Sequence, residues 1–150
     1  MNIVLITTDS SNADFRKLVV ELDKDLSIRD GDEHSFYAQY NKVDLIKHVV
    51  VAYFENEPMG CGAFKEYEPG TVEIKRMYVL PQYRGKGIAL QVLNKLEDWA
   101  ASLSYKAAVL ETGKKQPEAI ALYTKAGYAV IPNYGQYIGV ENSVCMQKTI

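Results

Sequence analysis

Apolar residues along this chain alternate between short runs suited to strands and stripes spaced for helices. Ile3 to Thr7 is an apolar run that predicts a short buried strand. From Ser11 the spacing changes: Phe15, Leu18, Val19, Leu22 and Leu26 follow one another at a helical interval. Ser11, with Asp14 three residues on, approaches a capping box at the start of that helix, and Asp30-Gly31-Asp32 is its stop. His34 to Asn41 reads as a short second helix or a loop. Two strand runs, Lys47 to Phe54 and Met59 to Tyr67, flank Glu55-Asn56-Glu57-Pro58, a turn composition that predicts a hairpin. Pro69-Gly70 marks another turn. Thr71 to Leu80 extends the antiparallel meander, and Pro81 ends it.

Beyond that proline the period becomes helical. Gly85 to Leu103 places Ala89, Val92, Leu93, Leu96, Ala100 and Leu103 on one face. Ala107 to Thr112 is a short apolar strand. Pro117 suits the first turn of a helix and Gly127 its end, with Ala119, Leu122, Tyr123 and Ala126 together between them. Tyr128 to Ile131 and Val144 to Thr149 are the last strands, joined by an aromatic loop from Pro132 to Asn142. The order β-α-α-β-β-β-α-β-α-β-β predicts an α/β (α+β) fold. Its mixed central sheet of about seven strands, with flanking helices, starts antiparallel and becomes parallel across the crossover helix. No Pro/Gly/Ser-rich linker divides the 150 residues, so 1–150 is expected to be a single domain.

Composition narrows the function classes. A formal net charge of −2 argues against non-specific nucleic-acid binding, which needs a dominant basic field. No apolar stretch approaches the roughly 20 residues of a membrane span, and the N-terminal apolar run is too short for a signal peptide. A cytoplasmic protein is expected. Cys61 and Cys145 lie far apart with no CxxC pattern and read as small apolar fillers. Neither His34 nor His48 has a metal-ligand neighbourhood, so no metal is expected, and His48 reads as structural.

The most informative segment runs from Tyr78 to Ala89. A strand ends at Pro81, the loop Gln82-Tyr83-Arg84-Gly85-Lys86-Gly87 follows, and a helix begins at once at Ile88-Ala89. The first N–H groups of a helix lack intrahelical partners, and the helix dipole adds partial positive charge there. Two glycines let backbone approach an anion closely, so this loop is a candidate pyrophosphate cradle. A Walker A loop fails because Ile88 follows Gly87. A dinucleotide fingerprint fails because Gly85 and Gly87 lead to Leu90.

Gln82-x-x-Gly85-x-Gly87 does resemble the [Q/R]xxGx[G/A] motif of the GNAT superfamily of N-acetyltransferases. Glu73 to Pro81 is similar to that family's fourth strand, and Pro117 to Tyr128 to its helix bearing "A-x-x-L-Y-x-K-x-G-[F/Y]". The resemblance implies direct transfer of an acetyl group from acetyl-CoA to an amine. It also implies a CoA site built from Met77, Tyr78 and Val79, from Gln82 to Ala89, and from Gln116 and Tyr123. A backbone N–H near Tyr78 or Val79 would then face the developing oxyanion. Gln116, followed by Pro117, stands where the family often carries an asparagine.

Direct transfer needs an amine that has lost its proton and a protonated or stabilised leaving thiolate. By the resemblance Tyr123 is the general acid, and a phenol, protonated at neutral pH, suits that role. Two carboxylates compete for the base, Glu111 at the end of the fifth strand and Glu73 on the fourth. A bulge after Arg76 would swap the faces of Met77 to Val79. Lys75, Arg76, Arg84 and Lys86 are expected to offset the CoA phosphates, whereas Lys114 and Lys115 read as solvated. His34, Tyr37, Tyr40, Tyr134 and Tyr137, with Asp23, Asp25, Asp30, Asp32 and Glu33, are candidates to line an acceptor site favouring a cationic amine. Exposed edges in this kind of sheet are compatible with a homodimer. The same fold without chemistry would serve as a CoA-binding sensor or an interaction module; Glu111 and Tyr123 favour the enzyme.

Overall fold

The computed structural model of the chain describes residues 1–30 and 45–150. The element expected at His34 to Asn41 lies outside them. The strands are β1 (Val4–Thr8), β2 (His48–Phe54), β3 (Glu57–Glu68), β4 (Thr71–Val79), β5 (Ala107–Gly113), β6 (Ala129–Ile131) and β7 (Ser143–Thr149). The helices among the described residues are α1 (Ala13–Asp30), α2 (Ile88–Ser102) and α3 (Pro117–Lys125). One seven-stranded sheet runs in the order β1-β2-β3-β4-β5-β7-β6. The α/β class and the strand number agree with the sequence. Among the described residues, parallel pairing is confined to β4 and β5, since β7 inserts antiparallel between β5 and β6.

Strand β2 is apolar from Val49 to Ala52 because both its faces are covered. Val50 and Ala52 join the core under α2, formed by Ile88, Val92, Leu93, Leu96 and Ala100. Val49 and Val51 pack with Cys61 and Ala63 beneath the α1 stripe of Phe15, Leu18, Val19 and Leu22. A continuous apolar run is what a strand sandwiched between two helical layers requires. The hairpin turn is tighter than the four residues expected. Glu55 and Asn56, at φ +49° and +66°, form its tip, and β3 already starts at Glu57.

Three boundaries differ from expectation for local reasons. The cap of α1 is Asn12 rather than Ser11: Asn12 Oδ1 accepts the Phe15 N–H at 2.9 Å. Ser11 N–H instead bonds Asp9 Oδ1, and Asp14 accepts the Tyr53 hydroxyl at 2.7 Å. Leu103 sits beyond the end of α2, where its N–H bonds the carbonyls of Trp99 and Ala100; it has left the buried face and is exposed. Pro81 opens a 3₁₀ turn, Pro81–Tyr83, after a strand that ends at Val79.

His48 has a packing role, as its sequence position suggested. Its ring stacks on Phe64 at 4.5 Å and meets Trp99 edge-on at 4.8 Å. Both cysteines are fully buried, and burial pushes the Cys61 thiol up to about 12.

Candidate active site

The site originates in a defect of strand β4. Ala63 pairs with Lys75 and Cys61 with Tyr78, so Arg76 and Met77 together oppose the single residue Gly62. Arg76 occupies the left-handed region at φ +60°, a conformation that usually falls to glycine. Before the bulge Val72 and Ile74 face the α2 core; after it Met77 and Val79 do, while Tyr78 joins the α1 core. The faces of Met77 to Val79 are therefore swapped relative to unbroken alternation. Met77 fills the space above Gly62, where an added Cβ would come within 2.5 Å of its sulfur.

The bulge coincides with a parting of the sheet. β4 and β5 pair only from Thr71 to Glu73 on one strand and Ala107 to Val109 on the other. Past that point β4 stays with β3 and β5 stays with β7. A wedge opens between them, and two connected clefts occupy it.

The larger cleft, about 370 Å³, runs from Met77, Tyr78 and Val79 to the glycine loop and the start of α2. Gly87 is the N-cap of α2 at φ +79°, with no side chain capping the helix. Gln91 N–H, bonded to the Gly87 carbonyl at 3.2 Å, is the first of the helical ladder, which leaves the preceding amides without intrahelical acceptors. Gly85 sits at φ +78°, and a Cβ on either glycine would project into open space. The loop thus presents bare backbone at a positively polarised helix end, which fits a diphosphate. Arg84 is fixed beside it: its Nε donates to the Val79 carbonyl at 2.8 Å, and its guanidinium lies 5.4 Å from the Tyr78 ring centre.

Of the residues proposed from sequence for the cofactor, Met77, Tyr78, Val79, Tyr83, Arg84, Gly85, Gly87, Ile88, Ala89, Gln116 and Tyr123 all border this cleft. Gln82 and Lys86 are exposed and do not. The expected placement of Lys75 and Arg76 near the phosphates is incorrect, because both point to the α1 side of β4 and into the smaller cleft. Asp25, assigned from sequence to the acceptor side, borders the larger cleft instead, its Oδ2 3.8 Å from Arg84 Nη2.

The smaller cleft, about 110 Å³, brings Glu73, Glu111 and Tyr123 together with Tyr137. Leu22, Met77, Gln116, Ala119 and Tyr123 border both clefts and form the junction. Tyr123 is buried on α3; burial, helped by the nearby Glu111 carboxylate, raises its pKa above the ordinary tyrosine value, so it holds its proton. Glu73 is buried and doubly held, by the Tyr134 hydroxyl donating to Oε2 at 2.7 Å and by Lys75 Nζ at 3.8 Å from Oε1. Glu111 is half-buried on β5, opposite Cys145.

The aromatic loop after β6 reaches this cleft because Asn133 braces it, donating from Nδ2 to the carbonyls of Tyr137 and Val140. Tyr134 and Tyr137 meet edge-on at 5.8 Å. Of the acceptor-side candidates, His34, Tyr37, Tyr40, Asp32 and Glu33 lie outside the described residues. Leu22 and Leu26, which also border the cleft, went unnoticed in the sequence because the same α1 stripe accounts for them as core. Among the described residues, no cluster of His, Cys, Asp and Glu is arranged to hold a metal ion.

Residues 13–128 match the acetyltransferase (GNAT) family. The chain belongs to that family. A relative named IAA acetyltransferase, from Azospirillum brasilense, is 40% identical over 93 residues, which is 61% of each chain. The uncharacterized N-acetyltransferase YjgM of Escherichia coli is 31% identical over 109 residues, 71% of this chain and 64% of its own. The chain thus matches less than two thirds of the length of these curated relatives. Among solved structures, a Klebsiella pneumoniae protein described as an acyl-CoA N-acyltransferase superposes with a TM-score of 0.82 at 28% identity, covering 98% of this chain and 97% of its own. The PaiA N-acetyltransferase of Thermoplasma acidophilum, solved with coenzyme A, shares the fold at a TM-score of 0.72 and 17% identity over the full length of both chains. The membership fits the parted sheet and the glycine loop already described.

Proposed function

We propose that residues 1–150 form one acetyltransferase unit that moves an acetyl group from acetyl-CoA to a primary amine by direct attack in a ternary complex. The observation that carries this reading is the junction of the two clefts. A cradle for a diphosphate and a pocket holding two carboxylates meet at Tyr123, so donor and acceptor can be bound together on either side of one buried phenol. Holding two reactants in contact removes much of the entropic barrier to a bimolecular step.

In this reading the glycine loop and the amides opening α2 hold the diphosphate, and Met77 to Val79 flank the arm that carries the thioester. The amine enters from the smaller cleft and gives its proton to Glu111 or Glu73, directly or through water. Its nitrogen forms a bond to the thioester carbon, and backbone N–H groups near Tyr78 and Val79 stabilise the oxygen as charge builds on it. The carbon–sulfur bond then breaks, the electron pair stays on sulfur, Tyr123 supplies the proton that makes free thiol, and the second proton given up by the nitrogen restores the phenol. Glu111 beside Tyr123 favours its protonated form between turnovers.

Thiol release measured with acetyl-CoA and a panel of amines and peptides tests the proposal. Amine-dependent release is expected. If coenzyme A binds and no amine accelerates release, a silent CoA-binding sensor replaces the enzyme reading. If coenzyme A does not bind, both are excluded.

A further inference from the structure

Tyr123 is the one residue of α3 that is fully buried, so the helix itself does little to fix where the phenol points. Its C-terminal end supplies the rest. Gly127 leaves the helix at φ +103° and donates its N–H to the Thr124 carbonyl at 3.1 Å. The Tyr128 N–H then closes back on the Tyr123 carbonyl at 2.9 Å. This pair of bonds is a Schellman stop, and it joins Tyr123 to Tyr128 through the backbone. The two rings also meet edge-on, with centres 5.9 Å apart. A shift of Tyr128 therefore reaches Tyr123 by two routes.

Tyr128 is held in turn by a buried polar group. Its hydroxyl donates to Glu97 Oε2 at 2.9 Å, a bond that links the end of α3 to α2. Glu97 Oε1 accepts from Lys148 Nζ on β7 at 2.7 Å, and that ammonium lies 5.8 Å from the Tyr128 ring centre. Both carboxylate oxygens are thus satisfied by protein donors.

A carboxylate is a costly way to fill space beside the apolar face of α2. Ile88, Val92, Leu93, Leu96 and Ala100 already form that face, and an apolar side chain would extend it. What the carboxylate adds is direction. A satisfied buried hydrogen bond fixes the tyrosine hydroxyl at one point, whereas apolar packing lets rings slide. Burial, with Glu97 adding to it, raises the Tyr128 pKa, so the phenol keeps the hydrogen it donates. Glu97, Tyr128 and Lys148 border neither cleft, so any influence on the reaction passes through Tyr123.

We infer that Glu97, held by Lys148, is a positioning residue: through Tyr128 it sets the ring of Tyr123 at the junction of the two clefts. This rests on the acetyl-transfer reading for its effect on rate but not for its effect on the ring, and the two are tested separately.

Glu97→Leu removes both bonds, Tyr128→Phe removes one, and Glu97→Gln keeps an oxygen that accepts from Tyr128. In Glu97→Leu and Tyr128→Phe, kcat for thiol release is expected to fall about tenfold with KM for acetyl-CoA unchanged. Glu97→Gln is expected to recover most of that loss. The same changes made in Tyr123→Phe, where the acid is already gone, are expected to lower kcat no further, because residues that act as one unit are not additive. An equal fall in both backgrounds, or an unchanged kcat in Tyr128→Phe, overturns the inference. Tyr128→Phe loses a single oxygen and carries the test if Glu97→Leu does not fold.

The ring is followed independently by NMR of the coenzyme-A-loaded protein labelled with ring-¹³C tyrosine, Tyr123 being assigned by its loss in Tyr123→Phe. Its signal is expected to move or broaden in Tyr128→Phe and Glu97→Leu and to keep its place in Glu97→Gln. An unmoved Tyr123 signal overturns the inference while leaving acetyl transfer standing. A moved signal in a protein that turns over no amine supports the inference and removes the enzyme reading.

Discussion

Tyr134 donates its phenolic hydrogen to Glu73 Oε2 across 2.7 Å, tying the loop after β6 to the middle of β4. The bond serves a carboxylate that is itself buried, so losing it would leave a charged acceptor short of a donor. A Tyr134→Phe variant is expected to lose about 1–3 kcal/mol of unfolding free energy, read from denaturant midpoints. Its coenzyme A affinity should stay unchanged, because Tyr134 does not border the larger cleft.

Tyr123→Phe separates chemistry from packing. The ring remains to fill its place against Tyr128, 5.9 Å away edge-on, while the proton for the leaving sulfur is gone. The expected result is a fall in kcat of about 10²-fold with coenzyme A affinity retained, measured by steady-state thiol release and by titration. Retained kcat would remove Tyr123 from the acid role.

Gly85 and Gly87 share the same backbone demand. Alanine at either position must adopt a left-handed φ near +80°, at a cost of about 1–2 kcal/mol, and its methyl points into the space assigned to the diphosphate. Coenzyme A affinity is expected to drop by tenfold or more in either variant, whereas the melting temperature shifts by only several degrees.

Asp25 places a carboxylate at the mouth of the larger cleft, beside Arg84. An arriving diphosphate meets that negative charge and must compete with it for the guanidinium. Asp25→Asn should therefore tighten coenzyme A binding by roughly two- to fivefold, since half-exposed pairs are worth up to about 1 kcal/mol. The gain should shrink as salt is added.

Several phenols couple folding to alkaline pH. Burial, with Asp14 as hydrogen-bond partner, raises Tyr53 to about 12. Burial likewise raises Tyr123, Tyr128, Tyr134 and Tyr137, with carboxylates adding to the effect in each case. Each binds its proton more tightly in the folded state than in the unfolded chain, where tyrosine titrates near 10. The unfolded state thus loses protons first, and stability present below pH 10 is lost as the pH rises beyond it. Denaturant midpoints at pH 8, 10 and 11 should be level up to about 10 and then decline; a flat profile would contradict the assigned burial.

Where one physical quantity fixes a segment, its structure is legible in the letters. The α1 stripe and the unbroken apolar run of β2 both follow from burial, and they fold as the pattern predicts. The loop from Gln82 to Gly87 is legible for a related reason: its two glycines take left-handed dihedrals that other residues adopt only at a cost. The β4 bulge is harder, because Arg76 adopts a glycine-like φ without being glycine. Its consequence for Met77 to Val79 could be stated only as a condition. The misplacement of Lys75 and Arg76 has the same root, since closeness in sequence to a phosphate loop does not say which side of a strand a residue occupies. Asp25 fails differently: its contact with Arg84 joins two elements nearly sixty positions apart, and no local pattern encodes that.

The early parting of β4 from β5 has a consequence for how ligand and fold depend on each other. Past Glu73 and Val109 the facing margins of two strands carry amides and carbonyls that, among the described residues, no third strand reaches, so the sheet is, in hydrogen-bonding terms, one ribbon short. An extended ligand with amide groups of its own is the natural guest for such a slot, because it completes the ladder as well as filling the space. Occupancy should then stiffen the wedge from within, lowering amide exchange along Met77 to Val79 beyond what shielding at the glycine loop alone produces.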